Sequence, residues 1–477
     1  MKVIRNYLYN VGYQILAIIL PLVTAPYVNR TLGPKGVGIY SYTNSIIQWF
    51  VILAILGIDL YGQKQIASTR NDKYKMSVVF WEIQIMKTAT TVFSFLVLVI
   101  FLKIYPVYSY YMFLQSLAIV SVWLDISWLF MGIENFRITV LRNTIVKVLS
   151  LLLIFIFVRT ANDLSLYIII TGLAIVLGNF TIWPYVGKVT VKVGIKDVHP
   201  WKHLLPTLSY FVPQNASQIY LLVNKNMLGF MVNTTASGFY NNADNIIRAV
   251  LVIVTSVGTV MMPHIANEVA NGRKENVYKY TYASLDFVST IACAMMFGLS
   301  SIAMKGSVFF YGKGFEPVGP AMIIESLIIV LIGWNSTLGT QFMIPMNKAN
   351  GYTTCIVVGT IINVILNVPL IKIWGLNGAA LSTVISELLI TVYQIYVVRK
   401  ELRLRSVLKS LLKYMIAGMI MFVVVFNMDI RMNGTAINLL VQIIVGAAIY
   451  GVLCVVLKTE IFNIVYVKFA NKNRRKN

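Results

Sequence analysis

The sequence predicts an all-α polytopic membrane protein of about 14 transmembrane helices, built as two six-helix pseudo-symmetric lobes followed by two C-terminal helices. Three observations carry that expectation. Hydrophobic residues make up 58% of the 477 and charged residues only 12%, with a mean hydropathy of +0.75, far from the roughly 25% charged of a soluble domain. Apolar runs of about 17 to 25 residues, the length that crosses roughly 30 Å of hydrocarbon as a helix, recur along nearly the whole chain. The chain also repeats itself. Val28-Asn29-Arg30, Leu32-Gly33 and Gly38-Ile39-Tyr40 return as Val223-Asn224-Lys225, Leu228-Gly229 and Gly238-Phe239-Tyr240, and farther on Tyr74-Lys75 is answered by Tyr278-Lys279 and Ser116-Leu117 by Ser326-Leu327.

The first apolar run, roughly 8 to 29, follows Lys2 and Arg5 as a signal sequence would. It is longer than a signal core and contains Pro21 and Pro26, so a retained first helix is expected. Runs near 39–60, 78–102, 110–131, 143–158 and 164–187 complete an N-lobe over residues 1–187. The stretch 188–203, carrying Lys188, Lys192, Lys196 and Lys202, reads as a cytoplasmic linker. Runs near 204–231, 239–265, 281–304, 320–344, 353–373 and 376–398 form a C-lobe over 204–400. Two more, near 411–427 and 436–457, lie in 401–477 with a basic tail and have no counterpart in the repeat. Because six is even, both lobes insert the same way up, related by an axis along the membrane normal, with a site expected between them. Prolines recur in spans one and seven, at Pro21, Pro26, Pro206 and Pro213, where bending could gate a path.

A formal charge of +23 could suggest a nucleic-acid partner, but its distribution gives a better account. Placing the N-terminus inside puts most of the 40 Lys and Arg in cytoplasmic loops, which sets an N-in, C-in topology in the plasma membrane. No nucleic acid is expected as partner; the clusters Arg399-Lys400 with Arg403 and Arg405, and Lys472 with Arg474-Arg475-Lys476, are inner-face anchors that also meet membrane lipid. Cys293, Cys355 and Cys454 are scattered within apolar spans and should pack as small hydrophobes. His199, His203 and His264 form no ligand motif and read as loop histidines, so neither metal nor cofactor is expected. No Gly-x-x-x-x-Gly-Lys-Ser/Thr loop is present to hold a nucleotide.

Chemistry, if any, must therefore sit within the spans, where polar side chains facing lipid are costly and turn toward protein or a wet cavity. Ser41, Asn44, Gln48 and Asp59 fall on one face of span two, and Asn241, Asp244, Arg248 and Thr259 take the corresponding places in span eight, with Asn245 nearby. The alternative is an interhelical hydrogen-bond seam. Gln214, Gln218 and Lys225 share a face of span seven, and Arg30, the repeat counterpart of Lys225, ends span one. Both cations could instead snorkel to head groups. Arg248 is too deep for that, with Asp244 one turn before it in the favourable order for an ion pair. Lys87 and Asp125 are similarly deep and could pair between neighbouring helices, whereas Glu82 lies nearer the cytoplasmic end. Glu325 and Glu387 are intramembrane carboxylates that either pack helices or carry a proton.

The segment Pro21-Leu22-Val23-Thr24-Ala25-Pro26-Tyr27-Val28-Asn29-Arg30-Thr31-Leu32-Gly33-Pro34-Lys35-Gly36 resembles the first-helix signature of Wzx-type polysaccharide-export flippases. Gly375-Leu376-Asn377-Gly378-Ala379-Ala380-Leu381-Ser382-Thr383 leading to Glu387, and Gln341-Phe342-Met343-Ile344-Pro345 before Lys348, extend that resemblance over nearly the whole chain. The family belongs to the multidrug, oligosaccharidyl-lipid and polysaccharide exporter superfamily of fourteen-helix, two-lobed transporters. The resemblance implies a flippase that carries undecaprenyl-pyrophosphate-linked oligosaccharide to the outer leaflet for capsular or exopolysaccharide assembly, without covalent chemistry. A polysaccharide polymerase is then a candidate partner. Arg30, Lys225, Arg248 and Lys87 become candidate cations for the substrate, Asn44, Gln48, Asn241, Asn245 and Gln218 candidate sugar contacts, and Asp244, Asp125 and Glu387 candidate coupling-ion groups. Within the same fold, a peptidoglycan-precursor flippase or a cation-coupled drug exporter is the alternative. A membrane polysaccharide polymerase or ligase, normally marked by a large outside loop, and a purely structural scaffold are the readings from other classes.

Overall fold

The computed structural model describes the backbone of residues 2–460 and the side chains of 20–135, 139, 142–211, 218–258 and 260–460. Pro213, Gln214, Thr259 and the basic cluster at Lys472–Lys476 thus lie outside the described side chains, as do the residues before Leu20. Helices account for all regular structure among the described residues. They are α1 (Lys2–Ile55), α2 (Ile58–Thr69), α3 (Lys73–Ile104), α4 (Ser109–Gln115), α5 (Leu117–Leu124), α6 (Ser127–Gly132), α7 (Phe136–Phe157), α8 (Leu164–Phe180), α9 (Val186–Val189), α10 (Leu204–Met231), α11 (Thr234–Ala270), α12 (Lys274–Tyr311), α13 (Val318–Glu325), α14 (Ile328–Asn335), α15 (Ala349–Val398), α16 (Arg405–Arg431) and α17 (Ala436–Val456). Among the described residues, ten helical stretches are long and apolar enough to cross a membrane. This is a multi-pass membrane protein.

The two longest helices, α1 and α15, each contain a backbone break. In α1 the helix is interrupted at Gly33, with φ 67° and ψ 174°, and in α15 at Gly375, with φ 53°. Left-handed dihedrals of this kind are open to glycine and costly for other residues. Helical geometry persists across Pro21 and Pro26, and the break in the first helix falls at Gly33, whose helical dihedrals the following Pro34 also disfavours. In α15 the two arms fold against each other: Cys355 meets Gln394, Gly359 packs on Ile390, and Asn367 accepts a hydrogen bond from Ser382. This hairpin has its bend at Gly375.

Several expected single spans are interrupted. The run 110–131 is three short helices, α4, α5 and α6; the first joint is at Ser116, and the second is where the chain leaves helical geometry at Asp125, whose carboxylate takes the Ser127 N–H at 2.9 Å. The run 320–344 is α13 and α14 followed by a π-helical stretch, Ser336–Met343. The run 39–60 stops at Leu56 and Gly57, both with positive φ, and α2 starts afresh.

Tertiary contacts divide the chain into two compact units, residues 1–238 and 239–477. In the first, α1 packs on α3, α7 and α10, with the hydroxyls of Ser94 and Thr90 bonding the carbonyls of Phe50 and Ala54 at 2.6 and 2.8 Å. Backbones approach closely where Gly38 of α1 meets the start of α11: a Cβ there would lie 2.6 Å from the Thr234 carbonyl oxygen. Beside it the Ser41 hydroxyl donates to the Ser237 carbonyl at 3.1 Å. In the second unit α12 is the central helix, and α16 and α17, which have no place in the repeat, pack along it. The Phe297 ring of α12 sits against Gly418 of α16, and the Tyr450 hydroxyl of α17 reaches the Thr290 carbonyl at 2.8 Å.

Candidate functional site

The first unit holds two buried polar centres. Lys87, on α3, is only 1% exposed; its ammonium donates to the Asp125 backbone carbonyl at 2.7 Å and pairs with the Asp59 carboxylate at 3.3 Å. The acid paired with Lys87 is therefore Asp59, while Asp125 offers its main chain. The cause is local: the helix ends at Asp125, so its carbonyl is freed and its side chain turns to cap Ser127. Asp59 itself belongs to α2, beyond the break at Leu56–Gly57, and so leaves the stripe on which its spacing placed it.

The second centre surrounds Glu82, which is fully buried. Its carboxylate accepts from Lys202 Nζ at 2.7 Å, from the His199 backbone N–H at 2.8 Å and from His203 Nε2 at 2.9 Å. A carboxylate only accepts, so Nε2 carries a proton, and the other ring nitrogen, Nδ1, shares a hydrogen bond with the Tyr61 hydroxyl at 2.7 Å. The segment 188–203 is thereby stapled to α2 and α3, helped by the Val191 N–H on the Ser77 hydroxyl at 2.9 Å. His203 is a buried polar contact and not a loop histidine.

Also in this unit, Asn44 and Gln48 are half-buried on α1, Lys225 is half-buried on α10, and Arg30 and Gln218 are exposed. The repeat partners Asn29 and Asn224 are both buried, directly before Arg30 and Lys225. The Asn29 amide donates to the Ala25 carbonyl of its own helix at 2.7 Å.

In the second unit Asp244 of α11 is buried and holds Arg248, 36% exposed, with Nε 2.8 Å from both carboxylate oxygens. Asn241 is half-buried beside them and Asn245 is exposed. Removing two charges from water is costly, and a pair one helical turn apart offsets part of that cost. The buried Glu387 of α15 accepts from the Asn335 amide at 2.5 Å, and the Thr391 hydroxyl donates to the Asn335 carbonyl oxygen at 2.8 Å. The motif Gln341–Pro345 begins in the π-helical stretch, where Gln341 takes the Ser284 hydroxyl at 2.8 Å. Wide turns of this kind loosen the backbone register and concentrate at functional places.

Sequence spacing missed Arg142 of α7, which donates to the side-chain oxygens of Asn143, Asn179 and Ser127. At the start of an apolar run it looks like any positive-inside residue, and its partners come from three separate stretches of chain.

Comparison with known proteins agrees with this architecture. Over 406 residues the chain is 24% identical to the "Putative O-antigen transporter" of Escherichia coli (strain K12), covering 83% of this chain and 96% of the relative. It is 25% identical over 229 residues to the "Probable flippase AglR" of Haloferax volcanii, 47% of this chain and 48% of that one. Among solved structures, "Lipid II flippase MurJ, inward closed conformation" superposes with a TM-score of 0.73 at 17% identity, covering 94% of this chain and 98% of that chain. An inward-facing multidrug resistance MATE family transporter of the MOP superfamily gives 0.62 at 14%, over 82% and 95%. These likenesses establish the fold. The family model described as "Polysaccharide biosynthesis protein" matches residues 3–269, and with more than half its length inside that match, the chain belongs to the polysaccharide biosynthesis protein family.

Proposed function

We propose that this protein moves a lipid-linked oligosaccharide from the inner to the outer leaflet of the plasma membrane, supplying capsular or exopolysaccharide assembly by alternating access. Membership of the polysaccharide biosynthesis family and the near full-length likeness to a putative O-antigen transporter support the substrate class. One geometric observation carries the mechanism: the partly exposed guanidinium of Arg248, set by a buried carboxylate one turn away in the long helix α11. A phosphate-headed amphiphile needs cations for its head and amides for its sugars while its tail stays in lipid. Arg30, Lys225 and Arg248 take the pyrophosphate; Asn44, Gln48, Asn241, Asn245 and Gln218 take sugar hydroxyls. Lys87 contributes indirectly, because burial and its bond to Asp59 keep it from the substrate in this conformation. Asp244 and Glu387 are the groups best placed to carry a coupling cation, with Asp125 engaged at a helix start. No bond is broken, both termini lie inside, and a polysaccharide polymerase takes the delivered units.

The test is export in cells whose own transporter is deleted. Arg248→Ala and Lys225→Ala, singly and together, should abolish surface polysaccharide while the proteins still insert at native levels. Normal export by the double variant would refute the cationic site. Rescue of a peptidoglycan-precursor flippase deletion with no effect on surface polysaccharide would favour the alternative substrate.

A further inference from the structure

The first unit has a groove of about 850 Å³ between α7 and α8, and its polarity is one-ended. Arg142, Asn135 and Tyr185 line one end, and the walls, among them Leu149, Leu153 and Leu173, are apolar and outward-facing. From Arg142 to Leu153 the groove follows eleven residues of helix, about 17 Å at 1.5 Å each. That is close to one leaflet of a bilayer whose hydrocarbon is ~30 Å thick.

Arg142 is held at the head of this groove. Its Nη1 donates to the Asn179 Oδ1 at 3.0 Å, its Nε to the Asn143 Oδ1 at 2.9 Å and its Nη2 to the Ser127 hydroxyl at 3.3 Å. Ser127 in turn is fixed by Asp125, whose carbonyl holds Lys87. Nη2 also donates to the Asn143 Oδ1; these acceptors are all neutral and leave the guanidinium its charge to attract a phosphate, and a guanidinium fixed by neighbours loses little freedom when it meets one. The two helices touch where Gly178 admits Val146: a Cβ at Gly178 would lie 2.6 Å from the Val146 methyl.

We infer that the α7–α8 groove is a binding site for an anionic glycerophospholipid of the bilayer, its phosphate on Arg142 and its acyl chains along Leu149, Leu153 and Leu173. Charge and length both favour this occupant. Among the described lining residues Arg142 is the one charged side chain, which suits an anionic head, and a groove one leaflet long matches an acyl chain, whereas an undecaprenyl tail is longer than a leaflet is thick. By the positive-inside rule, the Arg142 end of α7 lies at the cytoplasmic head groups, where anionic lipid is concentrated. The site is separate from the residues assigned to transported substrate, so it stands or falls independently of that assignment.

The experiment uses full-length protein in phosphatidylethanolamine vesicles with stepped fractions of phosphatidylglycerol, read by native mass spectrometry of retained lipid and by resistance to heating. Phosphatidylglycerol should be retained and should raise thermal resistance. Arg142→Ala should weaken retention by about tenfold or more, as expected for loss of a charge-assisted contact, and Arg142→Lys should recover part of it. Should Arg142→Ala fail to fold, Ala174→Trp, which fills the groove without touching the guanidinium, should displace the lipid equally. Retention unchanged in both Arg142→Ala and Ala174→Trp would overturn the inference. So would displacement of phosphatidylglycerol from native protein by undecaprenyl phosphate at equal mole fraction, which would give the groove to the carrier.

Discussion

Replacing Glu82 by alanine should release the segment 188–203 from the first unit. Three donors converge on this carboxylate, and they do not weigh equally. Lys202 is 52% exposed and regains water when the acid is gone, so its share is small. The His199 N–H lies in exposed chain and rehydrates likewise. His203 is buried and already bonded to Tyr61, so its Nε2 proton is left without an acceptor. An orphaned buried donor costs ~1–3 kcal/mol. Taking about 2 kcal/mol, at 1.4 kcal/mol per factor of ten, the opened form of the segment should be populated roughly thirty times more often. Lys188, Lys192 and Lys196 are exposed tryptic sites there. When opening and closing outrun cleavage, the digestion rate follows that population. Limited trypsin digestion of protein in native membranes should therefore cut Glu82→Ala tens of times faster than native protein within 188–203. Equal rates for Glu82→Ala and native protein would refute the reasoning.

Further outcomes follow from the same geometry. Gly38→Ala pushes a methyl against the Thr234 backbone and should destabilise by about 3 kcal/mol. Gly33→Ala meets no atom within 4 Å and carries only the cost of its positive φ, ~1–2 kcal/mol; the fraction staying monodisperse after heating in detergent should rank the two, and the reverse order would count against the close approach. Lys87→Ala strands a half-exposed carboxylate and a freed carbonyl, and should lower the same heating midpoint more than Asp59→Asn does. The backbone N–H of Lys75, together with that of Tyr74, holds the Asp72 carboxyl below its ordinary value of 3.8. Its capping contribution is thus complete above that value and fades as pH falls through the lower folded one, so amide protection at the start of α3 should drop in acid in native protein and be pH-independent in Asp72→Ala.

What the sequence revealed and what it hid divide along a physical line. Composition, apolar run length and the Val28–Arg30 and Val223–Lys225 echo are properties of neighbouring residues, and they were enough for an all-helical membrane fold. The Asp244–Arg248 pair was legible for the same reason, being one turn apart. Glu82 and His203 are 121 positions apart, and no local pattern joins them. The Lys87 partner is hidden from the sequence because regular spacing supposes uninterrupted helices. The chain breaks at Leu56–Gly57 and again at Asp125, and each break moves an acid away from where regular spacing puts it.

The bend at Gly375 bears on how this chain enters a bilayer during synthesis. Asn363 and Asn367 face Ser382 across the hairpin, and Gln394 faces Cys355. A lone arm released into lipid would carry those polar groups without their partners across the bend, whereas the two arms leaving the translocation channel together satisfy one another on the way out. The hairpin should thus partition as one cargo, and ribosome stalling just after Gly375 should leave the first arm extractable by alkali until the second has emerged.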